Sequence, residues 1–253
     1  MTDEAPEILF EHVTKSFPRT DGTGGGFEAV RDLSFAVARG ELLAILGRTG
    51  CGKSTTFNLM SGLLRPTSGK VTVKGHDPFA EFDWFRGRIG IVFQNDRLMP
   101  WRTAFENVEL GLELNKVDKG KRAEIVASWL GRLGLNGHEH DYPHALSGGM
   151  RQRVSIARAF ATKPEILLCD EPFSALDEHT GSTLREEFRG LLAQTGATAI
   201  FITHSIEEAL KLGGRLMVFE RPARIAYETR LGAAMTEHDR DEVRARIRHA
   251  LAA

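Results

Sequence analysis

The feature that most constrains this chain is a glycine-rich stretch of eight residues in its first quarter: Gly47, Arg48, Thr49, Gly50, Cys51, Gly52, Lys53 and Ser54, with Thr55 directly after it. The apolar run 41–46 before the stretch predicts a buried strand, and residues 55–60 after it predict the first turns of a helix. A strand, a glycine-rich turn and a helix in this order are the context of a phosphate-binding loop. The glycines let backbone N–H groups turn inward, and the positive end of the helix dipole then faces the same anion.

Three side chains of this loop have predicted chemical consequences. We expect Lys53 to reach the terminal phosphates of a nucleotide and the Ser54 hydroxyl to bind Mg²⁺. Since Cys51 lies within the loop, an adduct on its sulfur is expected to block the phosphate pocket. The alternative is a glycine-rich turn that binds nothing, and the flanking strand and helix argue against it.

Two adjacent carboxylates form the second feature. The apolar run 166–169 predicts a buried strand, and it ends in Asp170 and Glu171. Sheets in α/β proteins place their ligands at the carboxyl ends of the strands, and an aspartate at this point of a phosphate-loop protein helps to hold Mg²⁺. We assign that role to Asp170 and expect Glu171 to polarise an attacking water. The alternative is two solvated acids that open a loop.

Length and charge limit the classes of protein to consider. A chain of 253 residues can form one large α/β domain or two lobes that share a core. Its 33 Lys and Arg balance 34 Asp and Glu, so bulk charge gives no support for nucleic-acid binding. No apolar run approaches the roughly 18 to 20 residues of a transmembrane helix, and residues 1–8 lack a signal peptide. Together with only two cysteines, Cys51 and Cys169, this predicts a protein on the cytoplasmic side.

Hydrophobic patterning along the chain predicts strands that alternate with helices, and hence a mostly parallel sheet. Strands are predicted at residues 8–13, 29–38, 41–46, 70–73, 89–93, 166–169, 199–203 and 216–219. Helical patterns cover residues 106–135, 147–161 and 183–192, and residues 19–26 read as a polar loop. In the first pattern Ile125, Trp129, Leu130 and Leu133 share one face, which we interpret as core.

Further motifs make the chain resemble the ATP-binding cassette (ABC) ATPases. Residues 146–153, LSGGMRQR, are similar to the signature motif of that family, and residues 174–177, SALD, resemble its D-loop. Phe17 resembles the A-loop aromatic, Gln94 the Q-loop glutamine and His204 the switch histidine, and all the motifs follow the family's order. The resemblance implies an α/β phosphate-loop fold with a mostly parallel sheet core. An N-terminal antiparallel β subdomain and a helical subdomain would complete it.

The resemblance also implies cofactors and roles. ATP and Mg²⁺ are the expected cofactors, with Phe17 stacked on the adenine and Gln94 joining Ser54 and Asp170 at the metal. The catalytic residues would be Glu171, His204 and Gln94. Phe27, which follows the glycine-rich loop, is an alternative to Phe17 for the stacking position.

A second anion site is predicted where Ser147, Gly148 and Gly149 begin a helix. One nucleotide cannot easily reach both this site and the phosphate loop within one chain. The resemblance implies that two copies pack head to tail, so that these residues and Asp177 of one copy contact the nucleotide held by the other. The alternative is that Ser147 merely caps its helix.

Residues 94–103 indicate a subtype. The run Leu98-Met99-Pro100-Trp101, followed by Thr103 and an Asn107-Val108 pair, resembles nitrate/sulfonate/taurine-type importer ATPases. An exposed apolar edge at residues 99–101 would suit a helix from a membrane partner. The alternative is a loop anchored by a buried Trp101.

The resemblance therefore implies the ATP-hydrolysing subunit of a bacterial importer, peripheral on the cytoplasmic face of the inner membrane. Its partners would be a second copy of itself, separate transmembrane permease subunits and, indirectly, a periplasmic or lipid-anchored solute-binding protein, with no nucleic acid. Two alternatives stay open: the cassette of an exporter or lipid transporter, and a soluble ABC ATPase that takes no part in transport.

The predicted domains are an ABC ATPase domain at residues 1–235, with a helical subdomain at about 95–162, and a short tail at 236–253. In the tail Val243, Ile247, Ala250 and Leu251 fall at helical spacing, which predicts an amphipathic helix packed on the cassette. The pair Gly213-Gly214 is expected to loosen the turn before the last predicted strand.

Overall fold

A computed structural model describes residues 5–18, 26–232 and 235–252. The chain forms two compact units, one of Met1–Trp84 with Thr198–Ala253 and one of Phe85–Ala197. The helical subdomain predicted at about 95–162 lies within the second unit. The predicted polar loop lies outside the described residues at 19–25, while Gly26 begins a strand.

The elements follow the chain in this order. The strands are β1 (Ile8–Pro18), β2 (Gly26–Val37), β3 (Leu42–Gly47), β4 (Ser68–Val73), β5 (Ile89–Val92), β6 (Ile166–Asp170), β7 (Thr198–Thr203), β8 (Gly214–Glu220) and β9 (Arg224–Leu231). The helices are α1 (Lys53–Met60), α2 (Ala104–Leu114), α3 (Lys119–Arg132), α4 (Gly148–Ala161), α5 (Glu178–Thr195), α6 (Ile206–Leu212) and α7 (Glu237–Ala252). Short 3₁₀ helices occur at Phe82–Phe85 and Pro143–Ala145.

An antiparallel sheet of order β2-β1-β4 opens the first unit. Its inner face is apolar, and the rings of Phe10 and Phe35 stack there with centroids 4.6 Å apart. Strand β1 continues to Pro18, beyond the predicted end at residue 13, because register shifts after Phe10 let the pairing with β2 resume. A bulge breaks the alternation of apolar and polar side chains, so the pattern alone underestimates the strand.

The second sheet of this unit places the phosphate loop. Strand β3 lies between β7 and β8 and is parallel to both, and β9 pairs with β8 in the antiparallel sense. Residues Leu43 to Gly47 of β3 are buried, as expected for a strand covered on both faces. Strand β9 was not predicted, because its side chains alternate between exposed and half-buried and it carries charged residues.

Helix α7 confirms the predicted amphipathic tail. Its buried Val243 and Ile247 join a core cluster with Ala44 and Leu46 of β3 and with residues of α6 and β8. Complete burial of each aliphatic side chain contributes about 1.5–3 kcal/mol, which is enough to hold a short helix against the sheet. At the predicted Gly213-Gly214 turn, Gly214 packs closely on β3, since a Cβ there would lie 2.4 Å from the Leu42 carbonyl oxygen.

The second unit combines the parallel pair β5 and β6 with helices α2 to α5. The helical pattern predicted as one stretch at 106–135 is two helices, because Asn115 ends α2 and Asp118 caps α3. Val126, Trp129 and Leu130 form the buried face of α3, whereas Ile125 is half-buried. Helix α5 is longer than predicted, since Asp177 caps its start and Gly196 ends it. Among the described residues, no helix is both long and apolar enough to cross a bilayer.

Candidate functional site

The phosphate loop has the backbone that its glycines predict. Gly50 and Gly52 adopt φ angles of 80° and 107°, in the left-handed region that side chains rarely enter. Gly52 is the N-cap of α1, so the loop leads directly into the amino end of a helix. A Cβ on Gly47 would lie 2.4 Å from the Cys51 sulfur, so this position also requires glycine.

Strand β2 and the turn between β8 and β9 pack closely against Gly52. A Cβ at Gly52 would lie 2.3 Å from the Ala29 carbonyl oxygen of β2 and 2.7 Å from the Cβ of Ala223, in the turn between β8 and β9. That turn is itself tied to β2, because the Ala223 N–H donates to the Ala29 oxygen at 2.9 Å and the Arg31 N–H donates to the Ala223 oxygen at 3.2 Å. No local sequence pattern predicts this support.

Lys53 closes the loop on itself. Its side chain is 6% exposed, and its Nζ donates to the carbonyl oxygens of Gly47 at 2.6 Å and Arg48 at 3.2 Å. A buried ammonium at the amino end of α1 is the local charge that a phosphate would meet. Ser54 follows on the exposed side of the first turn of α1, and Thr55 is half-buried.

Cys51 lies on the buried side of the loop. It is 2% exposed, and burial raises the pKa of its thiol, although the nearby Lys53 ammonium opposes that shift. The sulfur packs against Gly47, so an adduct can form only when the loop opens; that such an adduct would block the phosphate pocket stays a prediction.

The two candidate adenine-stacking residues face each other across the β1–β2 ladder, with Phe17 opposite Phe27. The Lys15 ammonium lies 5.1 Å from the centroid of the Phe17 ring, and the Arg221 guanidinium lies 5.0 Å from that of Phe27. Phe17 is half-buried and Phe27 is 37% exposed. Directly opposite residues of a ladder share one face, so both rings stay candidates.

His204 follows β7 in the first unit and is exposed. The turn that carries it is fixed by its neighbours: the Ser205 N–H donates to the Thr203 hydroxyl at 3.0 Å, and that hydroxyl bonds the buried Glu208 carboxylate. Ser205 also caps α6 by accepting from the Glu208 N–H at 3.2 Å. A rigid turn of this kind can aim an exposed imidazole at a ligand.

In the second unit, β6 ends in the two predicted carboxylates. Asp170 is its last residue, and Glu171 adopts φ of 47°, a conformation that costs a residue other than glycine free energy. The Glu171 carbonyl accepts from the Ser174 hydroxyl at 3.0 Å. Asp177 then caps α5 through the Thr180 N–H at 3.0 Å, and this bond lowers the pKa of its carboxyl.

Ser147 caps α4 by accepting from the Met150 N–H at 3.3 Å, and Gly148 and Gly149 form the first turn. A Cβ on Gly149 would lie 2.9 Å from the methyl group of Thr180, so α4 begins in close contact with α5. The amino end of α4 thus presents exposed backbone donors, as an anion site requires.

An ion-pair network that the sequence analysis missed joins the start of α4 to the segment after Gln94. Arg151 donates from Nε to the Asp96 carboxylate at 2.9 Å and from Nη1 to the Leu146 oxygen at 2.8 Å. Arg158 donates to the backbone oxygen of Asp96 at 2.7 Å. Gln94 itself is exposed, two residues after β5.

Trp101 is 71% exposed, which excludes the alternative of a buried anchor. The loop is held instead by the buried amide of Asn107. Its Nδ2 donates to the oxygens of Met99, Arg102 and Thr103 at 2.9–3.2 Å, and its Oδ1 accepts from the Met99 N–H at 2.8 Å. Thr103 adds a capping box with Glu106 at the start of α2. The apolar edge is therefore presented on a fixed loop.

The predicted metal ligands offer a hydroxyl from Ser54, a carboxylate from Asp170 and an amide from Gln94. All three supply oxygen, the ligand that Mg²⁺ prefers, and Mg²⁺ at nucleotide sites takes only one or two protein ligands beside phosphates and water. The donor set fits that ion. Among the described residues, no three His, Cys, Asp or Glu side chains group into a metal cluster.

Comparison with known proteins identifies the family. The model of the ABC transporter family matches residues 30–174, more than half of the chain. This chain belongs to the ABC transporter family. The cassette is 42% identical to the taurine import ATP-binding protein TauB of Pelagibacter ubique over 219 residues, which cover 86% of this chain and 81% of the relative. It is 38% identical to the nitrate import ATP-binding protein NrtC of Synechocystis sp. over 84% of this chain and 31% of that protein.

A solved structure extends the comparison to the fold. A dimeric ATP-binding cassette in a post-hydrolysis state, bound to ADP and Pi, superposes with a TM-score of 0.79 at 31% identity and covers 89% of this chain. The alignment includes 99% of that chain. The predicted α/β cassette fold and the prediction of an ATP-hydrolysing enzyme are both confirmed.

Proposed function

We propose that the cassette is the ATP-hydrolysing subunit of an importer of the nitrate/sulfonate/taurine type. The observation that carries the subtype is its 42% identity to a taurine import ATP-binding protein over 86% of the chain. The exposed Trp101 on a loop fixed by Asn107 supports it, because a membrane partner needs a firm apolar contact.

The proposal gives each site residue a role. Lys53 and the backbone of the phosphate loop hold the phosphates of ATP, and Ser54, Asp170 and Gln94 are the protein ligands of Mg²⁺. The ion would neutralise the charge that develops on the transferred phosphate. Glu171 orients and polarises the attacking water, and His204 contacts the γ-phosphate. Phe17 stacks on the adenine, with Phe27 as the second candidate.

A head-to-tail dimer completes the proposal. Ser147, Gly148 and Gly149 present donors at the amino end of α4. Asp177 caps α5, whose first turn contacts Gly149 through Thr180. We infer that these groups contact the nucleotide of a second copy, and the dimeric state of the similar solved cassette supports this. ATP would then close the dimer, and hydrolysis would reopen it.

The further partners follow from the importer type. Separate permease subunits would receive the apolar edge at residues 99–101, and a periplasmic or lipid-anchored solute-binding protein would deliver the solute. The cassette would lie on the cytoplasmic face of the inner membrane and would bind no nucleic acid.

Co-purification tests this assignment. Cells would express the tagged cassette together with candidate permease and binding-protein subunits, and the complex would be reconstituted in vesicles. We expect ATP hydrolysis to rise severalfold when the liganded binding protein is added. Trp101→Ala should lower that stimulation, while the control Tyr142→Ala, another exposed aromatic residue, should not.

Two results would assign the cassette elsewhere. ATP-dependent efflux from the same vesicles would favour an exporter. Recovery of the cassette without any membrane protein, with ATPase activity that no permease alters, would favour a soluble ABC ATPase.

A further inference from the structure

A cavity borders the phosphate loop without contact to Lys53. It has a volume of about 280 Å³ and is lined by Arg48, Thr49 and Cys51 from the loop. The end of β8 and the turn after it contribute Glu220 and Arg221, and the last turn of α7 forms a further wall. Lys53 and Ser54 do not line it, although Arg48, Thr49 and Cys51 also belong to the loop that is proposed to bind ATP.

Two arginines, Arg48 and Arg221, are the cationic residues in the lining of this cavity. Among the residues that the structure describes, neither Arg48 nor Arg221 forms an ion pair. The ring of Phe27 lies 5.0 Å below the Arg221 guanidinium, which favours that position through a cation–π contact. The lining carboxylate, Glu220, is already paired, since its Oε1 lies 2.7 Å from the Nε of Arg224.

The remaining walls do not cancel this positive charge. The carbonyl end of α7 carries a partial negative charge of about half a unit, against one full charge on each of Arg48 and Arg221. Burial raises the pKa of the Cys51 thiol, so its sulfur is neutral at pH 7. Thr49 adds a hydroxyl that can donate a hydrogen bond.

We propose that this cavity binds a small tetrahedral oxyanion of the phosphate, sulfate or sulfonate class, held between Arg48 and Arg221. Guanidinium groups match the oxygens of such anions with paired, charge-assisted hydrogen bonds. The cavity is several times larger than the roughly 30 Å³ that a water occupies, so the anion fits together with some of its hydration shell. Both arginine side chains are exposed, which limits the affinity to a Kd on the order of 1 mM.

The site is coupled to nucleotide binding by its position. Arg48 belongs to the phosphate loop, and the Cys51 N–H donates to the Arg48 carbonyl oxygen at 3.2 Å. An anion that holds Arg48 therefore restrains the turn that also shapes the ATP site. Because such coupling is reciprocal, ATP must change the affinity for the anion by the same factor that the anion changes the affinity for ATP.

Two sources can supply this chemistry. Inorganic phosphate is the product of the cassette's own reaction, and a sulfonate would be the imported solute if the proposed function is right. The binding site itself does not depend on that proposal, and only the sulfonate source does.

Isothermal titration calorimetry on the full chain tests the site. The protein is first saturated with Mg²⁺ and a non-hydrolysable ATP analogue, so that the phosphate loop is filled, and is then titrated with inorganic phosphate, sulfate or taurine. We expect saturable binding, which Arg221→Ala weakens by roughly tenfold because one of two charged donors is lost. Glu220→Gln should tighten it about two- to threefold, since it removes the carboxylate beside the anion. The control Arg246→Ala, an exposed arginine of the same helix α7 that does not line the cavity, should leave it unchanged.

The possible outcomes are distinct. Tighter binding of phosphate points to product as the source, and tighter binding of taurine points to the solute; either ranking supports the site. Any of three results would overturn the proposed anion site. These are the absence of saturable binding up to tens of millimolar, equal binding by Arg221→Ala and wild type, and complete displacement of the anion by the ATP analogue. Failure of the proposed function appears separately, as a transporter that imports neither sulfonate nor nitrate.

Discussion

Glu171 is held in the left-handed region directly after β6, where a side chain other than glycine is unfavourable. Strain of this kind is typical of functional positions, where the surrounding fold enforces it. Glutamine has the same shape, so a substitution can remove the charge without changing the strain.

At the scale of this residue, we predict that Glu171→Gln lowers hydrolysis by about two orders of magnitude or more, because a positioned base is lost. ATP binding should survive, since Lys53 and Ser54 are untouched, and the variant should become dimeric with ATP but not with ADP. Size-exclusion chromatography with light scattering measures this. Glu165→Gln, at the opposite end of β6, is the control. Hydrolysis at the wild-type rate would move the role of base to another residue, with His204 the next candidate.

The second residue-scale prediction concerns Cys51. Its burial and raised pKa keep the thiol protonated and covered, so maleimide should label the native chain at least roughly tenfold more slowly than the unfolded chain. Because the folded-state pKa is raised, the thiolate forms at higher pH, and labelling should accelerate only as pH rises above the range of an ordinary cysteine. Mass spectrometry after timed quenching follows the reaction. Rapid native labelling at pH 7 would show that the loop opens.

At the scale of elements, the loop before α2 depends on one side chain. Asn107 is fully buried and its amide bonds four backbone groups of residues 99–103. Asn107→Ala should lower the free energy of unfolding by about 1–3 kcal/mol, because it leaves buried backbone groups without partners. Chemical denaturation measures the change.

A matched control is Asn115→Ala at the end of α2. Its amide donates to the Gly111 oxygen at 2.7 Å, so we expect this substitution to lower the free energy of unfolding by about 0.5–1.5 kcal/mol. Equal effects of the two substitutions would mean that the loop is held by other contacts.

At the level of elements, the sequence predicted those strands and helices whose side chains form a hydrophobic or capping pattern. The buried strand β3 and the cap of α4 follow from an apolar run and from a serine before two glycines. Strand β9 could not be predicted in this way, because an edge strand with one charged face has no hydrophobic signal. The pair of Arg151 with Asp96 joins residues far apart in sequence, and no local pattern encodes it. The support of Gly52 by Ala223 likewise depends on tertiary packing.

For the molecule as a whole, helix α7 stabilises the unit that carries the phosphate loop. Ile247 is fully buried against β3 and β8, so Ile247→Ala should lower the stability of the chain by about 2–5 kcal/mol. The exposed Arg248→Ala should change it by less than about 0.5 kcal/mol. Thermal unfolding with and without ATP compares the variants. Equal stability of Ile247→Ala and wild type would show that α7 detaches without cost.

The hydrogen bonds of the Asn107 amide to residues 99–103, here called the Asn107 clamp, determine which segment of the loop can be exchanged between transporters. A chimera that transplants residues 98–103 alone into another cassette separates the loop from the side chain that shapes it. The smallest transferable module runs from Leu98 to Asn107, since all the hydrogen bonds of the clamp lie inside it. A chimera with the longer graft should assemble with the permease proposed for this cassette, and one with the shorter graft should assemble poorly, as pull-down of the two complexes would show.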